Sequence, residues 1–255
     1  PLSTTSYSVT GTSALGCVAT NTAVSTVTVS SNPTITITAL PTIICLGNSS
    51  TLTATGATSY TWNPGGLIGN TAVMSPTSNT TYTVTGANAF GCTNTRTRII
   101  IISNPVLGVI ASTSSICPGS NVTLTASGFS SYTWTPGPLT GASVTVSPLS
   151  STTYTVNSIN AFGCTATKTI NITVNPTPTL AVSSGSICNG YSFTLTPSGA
   201  STYTYSSGSN VVSPITTTSY TVTGTNASGC SDLVGVVSTV TVNALPSLAV
   251  SSGSI

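Results

Sequence analysis

Charged side chains are nearly absent from this sequence. Its 255 residues include three Lys or Arg, one Asp or Glu and no His, whereas ordinary soluble domains carry charge on about a quarter of their residues. Binding to nucleic acid depends on neutralising phosphates with many Lys and Arg side chains. The composition therefore predicts no nucleic-acid partner.

The scarcity of acidic and basic side chains also argues against enzymatic catalysis. A serine nucleophile needs a general base such as His, and glycoside hydrolysis needs a pair of carboxylates. Asp232 is the single carboxylate side chain, and no Cys-x-x-Cys motif occurs. Since zinc sites are built from clustered Cys and His, we expect no enzyme activity, no cofactor and no metal centre.

Long hydrophobic runs are absent as well, the longest lying around 99–102. A membrane-spanning helix needs about 20 apolar residues, so the chain is not expected to span a membrane in this way. Ser and Thr supply about two residues in five, yet 38% of residues are hydrophobic and the aromatic residues are regularly spaced. Such a chain has side chains to bury, unlike a disordered Ser/Thr tract.

The sequence does contain a motif that recurs about every 72 residues. TYTVTGANAFGCTNT at 81–95 recurs as TYTVNSINAFGCTAT at 153–167 and as SYTVTGTNASGCSDL at 219–233. Repetition at this period is typical of tandem arrays. Because both ends of the sequence fall inside a copy, we expect these residues to be part of a longer array.

Asn-Pro steps and a looser variant of them mark the boundaries between copies. Proline restricts its own backbone and that of the preceding residue, so short joints of this kind predict stiff repeats arranged end to end. The predicted units are the C-terminal part of one repeat (1–32), three whole repeats (33–104, 105–175 and 176–245) and the first strand of a further repeat (246–255).

Within each copy the hydrophobic pattern has a period of two. TLTAT at 51–55 and TYTVT at 81–85 place Thr on one face and apolar residues on the other, as half-buried antiparallel strands require. Turn sequences such as NPGG separate these runs at the spacing of a sandwich. The pattern predicts an all-β fold of tandem immunoglobulin-like β-sandwiches.

Seven cysteines fall into two series, one early and one late in each repeat. The spacing of 47, 47 and 42 residues predicts one disulfide within each repeat, which would join an early corner to a late hairpin at one end of the sandwich: Cys45–Cys92, Cys117–Cys164 and Cys188–Cys230. Cys17 belongs to the late series, so its partner is expected outside this sequence. One disulfide per repeat indicates an oxidising location, at the cell surface or beyond it.

Two series of aromatic residues support the immunoglobulin-like assignment. A Tyr precedes each late cysteine by ten residues, as in the tyrosine corner, and a large aromatic follows each early cysteine by 17, as in the buried third strand of such sandwiches. An exposed platform for sugar stacking, made by Tyr60 with Trp62 and Tyr132 with Trp134, is the alternative to a core role. The two series are Tyr7, Tyr82, Tyr154 and Tyr220, and Trp62, Trp134 and Tyr205.

The whole sequence resembles the Ig-like and PKD-like repeats of very large secreted surface proteins of Bacteroidetes. The resemblance is carried by TLTATG at 51–56, YTWNPG at 60–65, TTYTV at 80–84 and NAFGC at 88–92. It implies a surface-exposed adhesive or structural array, exported by the type IX pathway. PKD-type modules often carry acidic residues, and their scarcity here argues against linkers rigidified by calcium.

The few charges and the Asn-x-Ser/Thr sequences are the remaining candidate sites. Arg96, Arg98, Lys168 and Asp232 fall in the predicted last strands, where they either guard an exposed edge or form a lateral contact. The outward Thr rows also leave an ice-binding role open. Five sequences could accept N-linked glycans, at Asn48, Asn79, Asn121, Asn171 and Asn226.

These features predict a structural or adhesive extracellular protein that forms a rod, fibre or filament on a bacterial surface. A repeated carbohydrate-binding surface module is the alternative. Because a nearly uncharged surface is poorly soluble, we expect either self-association into a filament or bundle, or attached glycans.

Overall fold

The computed structural model describes residues 1–250, and every regular element in that range is a β-strand. No helix in the described part of the chain is long and apolar enough to cross a membrane. The first two strands, β1 (Thr5–Val9) and β2 (Ala23–Val27), form an antiparallel hairpin whose side chains are mostly exposed. Three sandwiches follow this hairpin.

The first sandwich (residues 36–103) has a three-stranded and a four-stranded sheet. The chain enters in the small sheet and crosses to the large one between its first two strands. The small sheet has the order β3 (Thr36–Leu40), β5 (Ser50–Thr55), β7 (Thr71–Met74); the large sheet has the order β4 (Ile43–Cys45), β9 (Thr93–Ser103), β8 (Thr80–Ala87), β6 (Ser59–Asn63).

The second sandwich (residues 108–174) repeats this topology and adds a short strand at the edge of the large sheet. Its small sheet has the order β10 (Gly108–Ala111), β12 (Val122–Ser127), β15 (Ser143–Val146). Its large sheet has the order β11 (Ser115–Ile116), β17 (Thr165–Val174), β16 (Thr152–Ile159), β13 (Ser131–Thr135), β14 (Leu139–Thr140).

The third sandwich (residues 185–243) keeps the large sheet but has a reduced small one. The large sheet has the order β18 (Gly185–Cys188), β23 (Ser231–Asn243), β22 (Thr218–Thr225), β20 (Thr202–Tyr205). The small sheet consists of β19 (Phe193–Thr194) and β21 (Val211–Val212), and a single bridge between Ala181 and Ser198 stands where the other sandwiches have a first strand.

The alternating sequence explains which faces are buried. In β5, Leu52 and Ala54 point into the core while Thr51 and Thr55 are exposed. The predicted all-β fold of immunoglobulin-like sandwiches is confirmed. Its two third-strand tryptophans are also placed as predicted, because Trp62 and Trp134 are fully buried.

Tyr60 and Tyr132 are buried beside these tryptophans, each with 7% of its surface exposed. Each hydroxyl accepts a backbone N–H and donates to the carbonyl of the same residue, three positions earlier: Ala57 for Tyr60 and Phe129 for Tyr132. Buried rings with fully used hydroxyls cannot stack on a sugar. The exposed-platform alternative is therefore wrong.

The tyrosine-corner prediction is also wrong in its detail. Tyr82 and Tyr154 are buried, and burial raises the pKa of both phenols. However, neither hydroxyl makes a hydrogen bond to the backbone within the described residues. That contact is made by Tyr60, Tyr132 and Tyr203, which lie on the neighbouring strand of the same sheet.

The chain divides into two compact units. One contains Pro1–Pro105 together with Ile159–Cys164, and the other contains the rest of the described residues. The turn between β16 and β17 of the second sandwich thus belongs to the unit of the first sandwich.

Candidate functional site

The two cysteine series mark opposite ends of each sandwich. We call Cys45, Cys117 and Cys188 the corner cysteines, and Cys17, Cys92, Cys164 and Cys230 the hairpin cysteines. In the first sandwich β4 runs parallel to the end of β9, and Cys45 lies opposite Ser103. Cys92 immediately precedes β9, at the other end of the same strand.

This arrangement excludes a bond within one sandwich. Cys92 lies 11 residue steps before Ser103, the last residue of β9. At about 3.3 Å per residue the two are about 36 Å apart. A disulfide requires Cα atoms about 4.4–6.8 Å apart. Because the first and last strands are parallel, the corner and the hairpin cannot meet.

The structure instead bonds corner cysteines to hairpin cysteines of the following repeat. Cys45 is bonded to Cys164 and Cys117 to Cys230, with Cα–Cα distances of 5.5 and 5.4 Å. The predicted pairs Cys45–Cys92, Cys117–Cys164 and Cys188–Cys230 are therefore wrong. The error lay in placing the corner and the hairpin at one end of the sandwich.

An asparagine shapes each hairpin that carries a bonded cysteine. The side-chain oxygen of Asn160 accepts the N–H groups of Phe162 and Cys164, at 2.9 Å each. Asn226 does the same for Ser228 and Cys230, at 3.0 Å each. These bonds hold the tight turn and present the cysteine at its end.

The amide nitrogen of the same asparagine reaches the end of the preceding sandwich or the segment that follows it. Asn160 Nδ2 donates to Ser103 Oγ at 2.9 Å, and Asn226 Nδ2 donates to the carbonyl of Pro176 at 2.8 Å. One side chain therefore shapes the hairpin and fastens it to the connecting segment. Sequence reasoning missed this role, although the recurring Asn-Ala-x-Gly-Cys at 88–92, 160–164 and 226–230 is its signal.

Cys92 occupies the same surroundings as the bonded hairpin cysteines. Its sulfur lies 3.6 Å from the carbonyl oxygen of Ser30, and Asn88 Nδ2 donates to the carbonyl of Ser31 at 2.9 Å. The sulfurs of Cys164 and Cys230 lie 3.7 Å from the equivalent carbonyl oxygens. The hairpin of Cys92 thus makes the same contacts as the bonded hairpins, although Cys92 is a free thiol.

Cys17 and Cys188 are exposed free thiols. Cys188 lies opposite Asn243 at the end of β23, the position that Cys45 holds relative to Ser103. The hairpin of Cys17 has Ser13 in place of asparagine, and Ser13 Oγ accepts the Cys17 N–H at 3.2 Å. That the partner of Cys17 lies outside this sequence stays a prediction.

The four charged side chains do not form a site. Arg96 and Arg98 lie on β9 opposite Val84 and Tyr82. Lys168 on β17 donates to the carbonyl of Leu107 at 3.4 Å. Asp232 on β23 accepts backbone N–H groups just beyond itself in its own strand. Their predicted location in the last strands is confirmed, and each contact is local to its own sandwich.

The five candidate glycosylation positions fall into two groups. Asn48, Asn79, Asn121 and Asn171 are exposed, whereas Asn226 is half-buried. A glycan would attach at the side-chain nitrogen that Asn226 uses at the joint. Modification there would conflict with the joint, and the four exposed positions stay predictions.

No protein-family profile matches the sequence, and no curated protein matches it. Solved structures with a similar arrangement of strands include a calcium-stabilised adhesin with which an Antarctic bacterium binds ice (15% identity, 94% of this chain, 82% of that chain, TM-score 0.39). Others are a 1.5-MDa bacterial ice-binding adhesin (14%, 84%, 99%, 0.38) and Sidekick-1 immunoglobulin domains 1–5 (12%, 95%, 67%, 0.32). Likeness at this level concerns the β-sandwich fold and says nothing of function.

Proposed function

We propose that this chain is a structural and adhesive array, displayed outside a bacterial cell, whose sandwiches are arranged end to end as a rod or filament. The observation that carries the proposal is the bonding of two corner cysteines, Cys45 and Cys117, to the hairpin of the next repeat. A joint of this kind restrains consecutive repeats, which a string of independent binding domains would not require.

The disulfides also support the location. Such bonds persist outside the cell and in envelope spaces, and they are rare in a reducing cytosol. The resemblance to large secreted Bacteroidetes repeats points to the same compartment and is the basis for the adhesive part of the proposal. The absence of acid–base clusters in the sequence leaves a mechanical or binding role in place of a catalytic one.

Assembly beyond one chain is part of the proposal. Like-charge repulsion, which keeps ordinary proteins apart, is weak in a chain with four charged side chains. Several large apolar side chains are exposed, among them Phe90 and Leu149, each 78% exposed. Lateral packing would cover them, and glycans on the exposed asparagines are the competing way to keep the surface soluble.

Electron microscopy of the purified oxidised chain, with small-angle X-ray scattering, tests the rod directly. We expect elongated particles that are about one sandwich wide as single chains and that become thicker with rising concentration as chains pack side by side. The matched control is the Cys45→Ser/Cys164→Ser variant, which should show a variable bend. Compact particles from the oxidised chain would contradict the proposal. A native mass well above that of the 25.2 kDa polypeptide, with sugar detected, would favour glycans over lateral packing.

A further inference from the structure

The disulfides create two covalent paths, each of which passes through all three sandwiches. From Pro33 the first path follows residues 33–45, crosses the Cys45–Cys164 bond and continues through 164–188. The second follows residues 92–117, crosses the Cys117–Cys230 bond and continues through 230–245. We call them the first and the second covalent thread.

Each thread crosses a sandwich on a single strand segment. The first thread crosses the first sandwich on the segment of β3 and β4, the second sandwich on β17 and the third on the segment that ends in β18. The second thread uses β9, then the segment of β10 and β11, then β23. In every sandwich one thread therefore runs on the first strand and the other on the last.

The rest of each sandwich lies between the threads. Residues 46–91, 118–163 and 189–229 connect one thread to the other and contain the middle strands, with the buried Trp62 and Trp134. A pull along a thread reaches these residues only through the two strands that flank them. They bridge the two threads and lie outside the path that tension follows along one thread, so that tension does not lengthen them.

The strand residues of a thread can be lengthened only slightly by tension. The crossing of the first sandwich uses residues 33–45, beside the 11-residue strand β9. Strand residues already rise about 3.3 Å each, and a fully extended chain reaches at most about 3.6 Å per residue. Where a crossing consists of strand residues, pulling can therefore gain only a small part of its length.

We propose that the staggered disulfides have a load-bearing function, in which the two covalent threads carry tension along the array and keep every sandwich folded under force. This inference rests on the proposed function as a surface rod or filament. In an array with disulfides inside each repeat, tension could still pull out the strands beyond each bond. Here each bond joins one sandwich to the next, so the path of tension along a thread does not include the middle strands of the sandwich.

Single-molecule pulling between positions 34 and 189 tests the first thread. Thr34 and Asn189 are exposed and would be replaced by a clickable amino acid, with Cys17, Cys92 and Cys188 changed to Ser to prevent disulfide exchange. Through the Cys45–Cys164 bond the path has roughly 36 residue steps, so the extension should stop at about 130 Å. Without that bond, and with Cys117–Cys230 intact, the shortest path follows residues 34–117, crosses the second bond and returns from 230 to 189. That path has roughly 124 steps, so the extension should stop at about 430 Å.

The two disulfides provide matched variants. Cys45→Ser/Cys164→Ser removes this short path and should show the longer limit of about 430 Å. Cys117→Ser/Cys230→Ser should keep the limit near 130 Å, because the first thread does not contain that bond. A disulfide that acted only by general stabilisation would give the two variants the same behaviour.

Three results would overturn the inference: a long extension of the oxidised chain, loss of the limit in Cys117→Ser/Cys230→Ser, or retention of the limit in Cys45→Ser/Cys164→Ser. If the last variant does not fold, reductant can be added during a pull on the oxidised chain. Both disulfides then open, and the extension should reach roughly 155 steps, or about 540 Å. If the particles are elongated but the oxidised chain extends well beyond about 130 Å, the load-bearing function of the threads is rejected and the proposed rod is not. Compact particles with a limited extension would reject the rod and keep the threads.

Discussion

The second and third sandwiches have the same large-sheet topology and very different cores. In the second, twelve buried residues form one cluster around Trp134, Leu124 and Val156. In the third, the buried cluster has four members, Leu195, Val212, Val222 and Val240, and Tyr205 stands half-buried at the position of the tryptophan.

The contacts at the joints do not differ between these two sandwiches in the way that their cores do. Asn226 and Cys230 of the third sandwich repeat the contacts of Asn160 and Cys164 in the second, with distances that agree within 0.1 Å for the turn itself. The buried core of the third sandwich is smaller than that of the second, whereas the contacts within the two hairpins are the same. This fits a protein in which the connection between sandwiches matters more than the stability of each one.

The cores should give the largest contrast. Trp134→Ala is expected to destabilise the second sandwich by about 3–5 kcal/mol, because it removes a fully buried ring and leaves a cavity. Tyr205→Ala should cost the third sandwich about 1–2 kcal/mol, since that ring is only half-buried. Hydrogen exchange followed by mass spectrometry resolves each sandwich. Equal losses of protection would show that the third core is larger than its buried cluster.

Removing a disulfide should expose the weakness of the third sandwich. The bonds span 119 and 113 residues, and the chain-entropy model gives about 4–5 kcal/mol for loops of this size. Cys117→Ser/Cys230→Ser should therefore bring the third sandwich close to unfolding, while Cys45→Ser/Cys164→Ser leaves the second sandwich folded on its larger core. Denaturant titration with exchange detection would show whether the order is reversed.

The hairpin asparagines should matter equally in the two sandwiches. Asn160→Ala and Asn226→Ala each remove two accepted bonds and one donated bond at a joint, at a cost of about 1–3 kcal/mol. The exposed Asn48→Ala is the control and should change stability by less than about 0.5 kcal/mol. A clear difference between the two joint variants would show that the joints are not equivalent.

The smallest expected effect concerns pH. With no His in the chain, no side chain has its ordinary pKa near 6.5, so stability should change little around neutral pH. Burial raises the pKa of Tyr154 above the usual 10.0, so the fold favours the neutral phenol. That stability is present below about pH 10 and is lost as pH rises through the folded pKa.

Tyr154→Phe should reduce the alkaline loss of protection in the second sandwich, and Tyr82→Phe should do the same in the first. Both are best measured with Cys17, Cys92 and Cys188 replaced by Ser, since thiolates promote disulfide exchange. An alkaline transition unchanged by both substitutions would assign it to another group.

Much of each sandwich could be predicted from local pattern. Thr alternating with apolar residues located β5 and β8, because successive side chains of a strand point to opposite faces. Burial of Trp62 and Trp134 followed from their place in that pattern. The tyrosines were harder to assign, since Tyr60 and Tyr82 both occur in alternating strands and only the fold shows which hydroxyl reaches a backbone turn.

The sequence by itself determined the strands, the repeat and the residues that face the core, because these depend on periodicity along the chain. Only the tertiary structure decided which cysteines bond. Separations of 47 and 119 residues are equally compatible with a disulfide, and the choice depends on where the chain brings each sulfur. The last residues of the first strand run parallel to the last strand, so the corner and the hairpin of one sandwich lie at opposite ends. Cys45 and Cys117 are therefore bonded to the hairpin of the following repeat.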